Sequence, residues 1–375
     1  MLLYISYASR VYYRTYVSVC YDPICMKIVI FAGGAGTRLW PISRSASPKQ
    51  FEKLQNNTST LQMALERVRS FGLDNIYIST NKSYTHLIEE QVPDVAHHHI
   101  FTEPAKRDLA AAVGLTLLRM KAAGESGTVG IIWSDHFMDY PEVFTSALQE
   151  AETLIADNSK QFVFLGETPR FANQNLGWIH LGDQIEGRRY QFEGWKYRPE
   201  LPQCQEMFKS GEWMWNPGYF VFDIDFCLSL YEQHQPEMYA SLKQMVADEE
   251  LLLETYHSLP AMSFDNAIVE HLAPEQATVL KVALGWSDPG TLYAMKEALI
   301  GEGTDNFTKG QVIARSTTDS FIFNEESDKL VTTIGLDGMI VVNTKDAILV
   351  CHKDSVPEIK PLLKDIEAEG FESYL

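Results

Sequence analysis

"KIVIFAGGAGTRLWPISRSASPKQF", residues 27–51, begins with an apolar, β-branched run and continues into a loop of small residues. Gly33, Gly34 and Gly36 let main-chain N–H groups approach an anion closely, because no Cβ stands in the way. Glycines alone leave three interpretations open: a dinucleotide site, a triphosphate loop, or a tight turn after a strand.

The residues around the glycines exclude two common phosphate motifs. A dinucleotide fingerprint started at Gly34 needs a third glycine where Leu39 stands, and the Gly-Lys-Ser/Thr triplet of the P-loop is absent. Two cations, Arg38 and Lys49, follow the loop. A loop that holds phosphates with main-chain amides and these cations therefore remains, beside the simple turn.

Apolar runs bounded by turn residues alternate with helical patterns up to about residue 304. The runs are "KIVIF" (27–31), "NIYIST" (75–80), "HIFTE" (99–103), "VGIIWSD" (129–135) and "QFVFLGE" (161–167). Ser59 and Gln62 have the spacing of a capping box, and Asp108 can cap a helix that ends at Gly124. The alternation predicts an α/β fold with a Rossmann-like, doubly wound, mostly parallel sheet. Ligands of such sheets bind beyond the carboxyl ends of the strands.

The pattern changes near the end of the chain. Short strands without intervening helices recur in "QVIARS" (311–316), "SFIFN" (320–324), "KLVTTIG" (329–335), "GMIVVN" (338–343) and "AILVC" (347–351). We expect three parts: residues 1–25 as an N-terminal extension outside the fold, residues 26–304 as the α/β domain, and residues 305–375 as a small all-β module that ends in a helix.

Composition limits the partners and the compartment. The formal net charge of −19 argues against a nucleic-acid or anionic-membrane binder, because phosphate surfaces would repel the protein. No apolar stretch approaches the roughly 18 residues of a membrane span. The five cysteines are odd in number and form no CxxC pair, which favours reduced thiols and a cytoplasmic protein.

The glycine-rich loop resembles a known family signature. "GAGTRLWP" (34–41) followed by "SPKQF" (47–51) is similar to the motif of sugar-phosphate nucleotidyltransferases, in the form found in mannose-1-phosphate guanylyltransferases. The resemblance implies that the loop wraps a nucleoside triphosphate, with Arg38 and Lys49 as catalytic cations on its phosphates. It assigns nucleotide binding in this loop to Ala32, Gly33, Gly34, Gly36 and Thr37.

Three further blocks extend the resemblance. "EPAKRDLAAA" (103–112) resembles the family's block near the base and implies nucleotide binding by Glu103 and Arg107, although Asp108 stands where asparagine is usual. "IIWSDHFM" (131–138) and "LGWSDPGTLYAM" (284–295) resemble the blocks that supply Mg²⁺ ligands, here Asp135 and Asp288. Two carboxylates suffice, since phosphates and waters complete the Mg²⁺ octahedron.

The sugar side resembles the family less closely. "NLGWIHLG" (175–182), "MWNPGYFVF" (214–222) and "SFDNAIVEH" (263–271) resemble family blocks around the sugar. "YRP" (197–199) stands where the family has Glu-Lys-Pro, so Arg198 replaces a lysine as the catalytic cation for the sugar phosphate, or Lys196 does if the register is shifted. The sugar-phosphate residues that the resemblance implies are Gly177, Tyr197, Arg198, Asn216 and Asp265.

Taken together, the resemblance implies an enzyme that transfers GMP from GTP to mannose 1-phosphate with Mg²⁺, giving GDP-mannose and pyrophosphate. The tail "TTIGLDGMIVVNTKDAILV" (332–350) resembles the family's small β-helix-like module. A homodimer is expected only by analogy with the family. Two alternatives stay open: a nucleotidyltransferase for another sugar 1-phosphate or nucleotide, and a catalytically silent regulatory subunit that binds a sugar nucleotide.

Overall fold

The computed structural model describes residues 26–34, 39–44, 46–55, 57–301 and 303–375. The expected extension over residues 1–25 lies outside the described residues, and so do the predicted site residues Gly36, Thr37 and Arg38.

Eighteen strands and eleven α-helices occur in the described part of the chain. The strands are β1 (Lys27–Phe31), β2 (Lys53–Gln55), β3 (Thr58–Ser59), β4 (Ile76–Asn81), β5 (Ile100–Glu103), β6 (Thr128–Trp133), β7 (Phe162–Glu167), β8 (Gly177–Glu186), β9 (Arg189–Tyr197), β10 (Trp213–Asn216), β11 (Phe220–Asp223), β12 (Ala277–Val282), β13 (Phe307–Lys309), β14 (Val312–Arg315), β15 (Phe321–Asn324), β16 (Val331–Ile334), β17 (Met339–Asn343) and β18 (Ile348–His352). The helices are α1 (Thr60–Val68), α2 (Thr85–Gln91), α3 (Asp108–Ala122), α4 (Pro141–Asp157), α5 (Leu201–Ser210), α6 (Ile224–His234), α7 (Pro236–Ala247), α8 (Glu249–Thr255), α9 (Phe264–Ala267), α10 (Leu292–Ile300) and α11 (Ile359–Ala368). None of these helices is long and apolar enough to cross a membrane.

A ten-stranded sheet forms the centre of the α/β part, in the order β10-β8-β9-β12-β7-β11-β6-β1-β4-β5. Seven of its described strands run in one direction, and β9, β10 and β11 run against them. The predicted fold class is confirmed, with these three strands as antiparallel insertions. Phe31 at the end of β1 lies beside Ser79 and Trp133, so neighbouring parallel strands end at the same edge of the sheet.

Helices cover both faces of this sheet because successive strand residues point to opposite sides. In β1, Val29 joins an apolar core with α3, α6, α7, α8 and α9. Its neighbours Ile28 and Ile30 join a second core with α1, α2, α4 and α5. The sheet is therefore doubly wound, as the sequence predicted.

Two predicted helix ends agree with the structure. The Gln62 N–H donates to Ser59 Oγ over 3.2 Å, and the Ser59 N–H donates to Gln62 Oε1 over 3.0 Å, which is the reciprocal capping box at the start of α1. Helix α3 begins at Asp108 itself, with Arg107 as an N-cap that makes no side-chain cap hydrogen bond, so the predicted Asp108 cap is wrong. As predicted, Gly124 follows the end of α3, with φ +91°. That conformation favours glycine over residues with a Cβ.

The C-terminal strands form stacked parallel rungs. Strands β13, β15 and β17 pair in parallel, β18 closes this sheet antiparallel, and β14 pairs in parallel with β16. Inside the stack, Asn343 Nδ2 donates to Asn324 Oδ1 over 2.7 Å, so one buried amide satisfies the next.

This β module packs directly on the segment that follows the glycine-rich loop. Leu39, Trp40 and Ile42 share an apolar core with strand residues of the module and with α10. The Trp40 indole Nε1–H donates to the Tyr374 carbonyl over 2.8 Å, and an Arg44–Asp346 ion pair lies beside it. The module therefore supports the segment from Leu39 to Arg44.

A buried charge cluster joins the module to α10. Asp319 accepts hydrogen bonds from Lys296 Nζ at 2.5 Å, Lys353 Nζ at 2.5 Å and Tyr293 Oη at 2.8 Å. The Lys296 side chain is fully buried. Burial raises the pKa of Asp319, but the hydrogen bonds from Lys296 and Lys353 outweigh burial and hold this pKa far below its ordinary value.

Replacing Asp319 with Asn is expected to lower the free energy of unfolding by about 3–5 kcal/mol, because Lys296 keeps a buried charge without its counter-charge. Urea denaturation followed by tryptophan fluorescence measures the loss. Asp328→Asn, at an exposed position of the same module, is the control and should change stability little. Equal stability in the two variants would contradict a structural role for the cluster.

Candidate active site

A cavity of about 350 Å³ opens where the parallel strands end. The loop after β1, the ends of β4, β5 and β6, and the start of α3 surround it. Its lining residues are Phe31, Gly33, Gly34, Gln50, Ser79, Thr80, Glu103, Lys106, Asp108, Leu109, Ala112, Trp133, Ser134 and Asp135. The predicted position of the ligand, beyond the carboxyl ends of the strands, coincides with this cavity.

Side chains from neighbouring segments hold the start of the glycine-rich loop. The Ala32 carbonyl accepts from Thr80 Oγ1 at 2.9 Å and from Gln50 Nε2 at 3.1 Å. Gln50 Nε2 also donates to the Gly34 carbonyl at 3.0 Å. Gln50 was not among the predicted residues, although it follows Lys49 directly in the signature.

Lys49 brings the two predicted metal ligands together. Its Nζ lies 3.2 Å from Asp288 Oδ1 and 3.5 Å from Asp135 Oδ2, and its side chain is only 5% exposed. The two carboxylates come from loops that are far apart in sequence, yet they face one ammonium group.

The two aspartate loops are joined by main-chain hydrogen bonds. The Phe137 N–H donates to the Ser287 carbonyl over 2.9 Å, and the Ser287 N–H donates back over 3.1 Å. Gly285, which begins this turn, has φ +62°, and a Cβ at this position would lie 2.4 Å from Asp139 Oδ2. Only glycine fits there without movement of the neighbouring loop.

The charges in this cluster shift the pKa values of their neighbours. Burial raises the pKa of Asp135, but the charge of Lys49, the neighbouring His136 and hydrogen bonds together outweigh burial, and the net pKa is below the ordinary value. Burial lowers the pKa of His136. The Trp286 indole donates to His136 Nδ1 over 3.0 Å, which assigns the proton of the neutral imidazole to Nε2, 3.9 Å from Asp135 Oδ1.

A second cavity, of about 410 Å³, lies on the other side of this cluster. Aromatic rings, an arginine and several polar groups line it: Phe137, Asp139, Arg170, Phe171, Asn173, Leu176, Trp215, Gly285, Trp286, Ser287, Asp288, Pro289, Ala294, Glu297, Ala298 and Gly301. Asp135 lines the first cavity and Asp288 lines the second, so the Lys49 ion pairs connect the two.

Four predicted sugar residues lie together at the end of the sheet. Asn216 of β10 is paired with Gly177 of β8, which is paired with Tyr197 of β9. Asn216 Nδ2 donates to Asp265 Oδ1 over 3.2 Å. Burial raises the pKa of Asp265 to about 6.

Arg198 lies at the outer end of this row. It has φ +45°, is exposed, and places its Cζ 4.9 Å from the centre of the Tyr197 ring. Its main-chain N–H donates to the Leu176 carbonyl over 3.1 Å. Arg198 lines neither cavity. The structure therefore brings it to the edge of the sugar row and not to the Lys49 cluster.

Of the two residues predicted to lie near the nucleotide base, Glu103 lines the first cavity and Arg107 does not. Glu103 lines the first cavity, accepts a 2.8 Å hydrogen bond from Tyr256 Oη, and has its pKa raised to about 7 by burial. Arg107 does not line the cavity, and its Nη1 donates to the Lys106 carbonyl over 3.3 Å. Lys106, which was not predicted, lines the cavity instead.

Family models match most of the chain. The nucleotidyl transferase model matches residues 27–301, and the MannoseP isomerase/GMP-like beta-helix domain model matches residues 310–366.

The chain belongs to the nucleotidyl transferase family.

Relatives of the whole chain agree with this family. The Salmonella typhimurium mannose-1-phosphate guanylyltransferase RfbM is 29% identical over 357 residues, covering 92% of this chain and 73% of the relative. The Pseudomonas fluorescens alginate biosynthesis protein AlgA is 31% identical over 359 residues, covering 91% and 72%. A crystal structure from Thermus thermophilus, described as a mannose-1-phosphate geranyltransferase, has a TM-score of 0.82 and 26% identity, covering 92% of this chain and 99% of that one. The resemblance that the sequence indicated is confirmed.

In this nucleotidyl transferase, Glu103 is expected to make stability fall as the pH rises. The unfolded state loses this proton near the ordinary pKa of 4.5 and the folded state near 7, so between these values the folded state binds more protons. Glu103→Gln keeps an acceptor for Tyr256 but removes the titration. The variant should gain up to about 3 kcal/mol relative to wild type between pH 5 and pH 8.

Thermal denaturation at both pH values measures this difference. Glu275→Gln, at an exposed position, is the control and should follow wild type. A gain for Glu103→Gln that is equal at pH 5 and pH 8 would show that Glu103 does not titrate in this range.

The turn at Gly285 allows a matched test of loop strain. Alanine at positive φ costs about 1–2 kcal/mol at either Gly285 or Gly187, whose φ is +54°. At Gly187 a Cβ meets no atom within 4 Å, whereas at Gly285 it overlaps Asp139. Gly285→Ala should therefore lose about 1–3 kcal/mol more stability than Gly187→Ala in urea denaturation. Equal losses would mean that the loop around Asp139 adjusts freely.

Proposed function

We propose that this protein transfers GMP from GTP to mannose 1-phosphate, in the presence of Mg²⁺, and forms GDP-mannose and pyrophosphate. The observation that carries the proposal is the Lys49 ammonium between Asp135 and Asp288, with one cavity on each side. Two cavities joined by a charged cluster suit a reaction in which two phosphorylated substrates meet. The name of the relative RfbM supports this choice of substrates.

The reaction requires positioning more than proton transfer. An oxygen of the sugar 1-phosphate attacks the α-phosphorus of the nucleotide, and the bond to the β-phosphate oxygen breaks to release pyrophosphate. A phosphate monoester has its second pKa near 6, so the attacking oxygen is already anionic at neutral pH. The protein must bring two anions together and stabilise charge on the phosphates.

The first cavity suits the nucleotide. Gly33 and Gly34 expose main-chain amides at its wall, and Lys49 lies next to Asp135 at its inner end. We assign the triphosphate to Lys49 and to Arg38, which lies outside the described residues. Guanine presents N–H donors on its Watson–Crick edge, and the buried carboxyl group of Glu103 is an acceptor of suitable chemistry.

Asp135 and Asp288 fit a divalent cation. Both carboxylates supply hard oxygen donors, both are partly exposed, and both already converge on one positive charge. No cluster of three or more metal-binding side chains occurs among the described residues, and Mg²⁺ needs only one or two carboxylates because phosphates and waters supply the rest. When bound, Mg²⁺ would neutralise negative charge on the phosphates.

The acceptor suits the row of sugar residues, which line neither cavity but directly follow Leu176 and Trp215 at the wall of the second cavity. Asn216 presents an amide, Asp265 adds a carboxyl group next to it, and the buried Gly177 pairs with Asn216 and Tyr197 in the sheet. These groups can donate to and accept from hexose hydroxyls. The exposed guanidinium of Arg198 would steer the incoming phosphate, since arginine can bind two of its oxygens.

Three expectations stay predictions: a cytoplasmic location, a homodimer, and a domain division between residues 304 and 305. The described cysteines Cys204, Cys227 and Cys351 are free thiols, which fits the first.

Pyrophosphate release over a matrix of nucleoside triphosphates and sugar 1-phosphates tests the proposal. GTP with mannose 1-phosphate should give the highest kcat/KM. Lys49→Ala should lower turnover at least a hundredfold, corresponding to about 3 kcal/mol, because it removes a cation next to the reacting phosphates. Lys160→Ala, at an exposed position before β7, is the control.

If another pair of substrates has a higher kcat/KM than GTP with mannose 1-phosphate, that pair would take their place in this proposal. Binding of GDP-mannose without any turnover would indicate a regulatory subunit. Wild-type turnover in Lys49→Ala would remove Lys49 from the mechanism.

A further inference from the structure

Glu167, the last residue of β7, is a buried carboxylate directed at the main chain of the Asp288 loop. It is 1% exposed. Its Oε2 accepts the Leu284 N–H over 2.8 Å, and its Oε1 accepts the Trp286 N–H over 3.3 Å. Main-chain N–H groups in a buried turn need acceptors, and here one side chain supplies two.

Arg170 binds the main-chain carbonyl of the same residue, Trp286. Its Nη2 donates to the Trp286 carbonyl over 2.7 Å, and its Nη1 lies 3.4 Å from Glu167 Oε1. Its Cζ lies 5.2 Å from the centre of the Trp215 ring. Glu167 and Arg170 therefore fix both the N–H and the carbonyl of Trp286.

The loop held in this way contains Asp288 and is hydrogen-bonded to the chain directly after Asp135. Asp288 is two residues beyond Trp286, and the Trp286 indole donates to His136, which follows Asp135 in the chain. Movement of Trp286 would displace both aspartates relative to each other.

We propose that Glu167 and Arg170 are positioning residues that set the spacing of Asp135 and Asp288, and that they thereby determine the affinity of the site for a divalent cation. This inference rests on the proposed function only in taking that cation to be bound together with the nucleotide. Neither residue was assigned a role from the sequence.

If Glu167 and Arg170 only stabilised the fold, apolar side chains of similar size could replace them. A buried ion pair costs desolvation free energy, and an apolar pair of similar size often stabilises a fold equally well. Glu167 and Arg170 instead satisfy three polar groups of one turn, so their loss acts on the geometry of that turn. Glu167→Gln retains the size of the side chain but has only one acceptor oxygen for two N–H donors.

Electron paramagnetic resonance of Mn²⁺ added to the full-length protein with GTP tests the inference. Glu167→Gln and Arg170→Met should each raise the Kd for Mn²⁺ about tenfold. GTP binding without metal should change less than twofold. Arg170→Lys should recover part of the Mn²⁺ affinity, because lysine can still donate to the Trp286 carbonyl. Arg188→Met, which breaks the 2.7 Å contact with Glu150 on α4, is the control and should bind Mn²⁺ like wild type.

Mn²⁺ affinities within twofold of wild type in both variants, together with lower melting temperatures, would overturn the inference and leave the pair a structural one. Wild-type protein that binds no Mn²⁺ with GTP would overturn it as well. The side chain of Arg170 is 45% exposed, so Arg170→Met should fold even if Glu167→Gln does not. If the protein made no GDP-mannose while the variants still bound Mn²⁺ more weakly than wild type, that result would support the inference and would reject only mannose 1-phosphate as the acceptor.

Discussion

The ion pairs of Lys49 with Asp135 and Asp288 are the interaction on which the site depends. Two carboxylates that face one ammonium group also repel each other. The ammonium between them offsets that repulsion and leaves one net negative charge. The cluster is thus held together without a ligand, and one lysine from the segment after the glycine-rich loop joins two loops that are distant in sequence.

The C-terminal module contributes to that cluster through packing. Lys49 follows the segment from Leu39 to Ile42, which is buried against strands of the module. The Arg44–Asp346 ion pair and the buried Lys296–Asp319 pair attach the module at two separate points. The module thereby holds the segment that leads from Leu39 to Lys49.

Local signals in the sequence predicted much of the fold, and non-local contacts account for what was missed. The strand periodicity, the Ser59 capping box and the αL glycine after α3 depend on neighbouring residues, so the sequence predicts them correctly. Strand β11 is inserted antiparallel between β6 and β7, which are far from it in the sequence. Its short apolar run does not indicate in which direction the strand runs in the sheet. Likewise, nothing in the sequence around Glu167 distinguishes it from any acidic residue at the end of a strand. The pairing of β7 with β12 places it next to the Asp288 loop.

Two departures from the family pattern, Tyr197 and Arg198, lie at exposed positions. Lys49 and Glu103 match the motif and are buried, so a change of charge there would leave partners unpaired in a poorly solvated site. Tyr197 and Arg198 differ from the motif and are exposed, where a change of side chain costs little stability. If the proposed function holds, the two kinds of residue would separate its tasks: the buried Lys49 and Glu103 would serve the nucleotide, and the exposed edge of the sugar row would serve the acceptor.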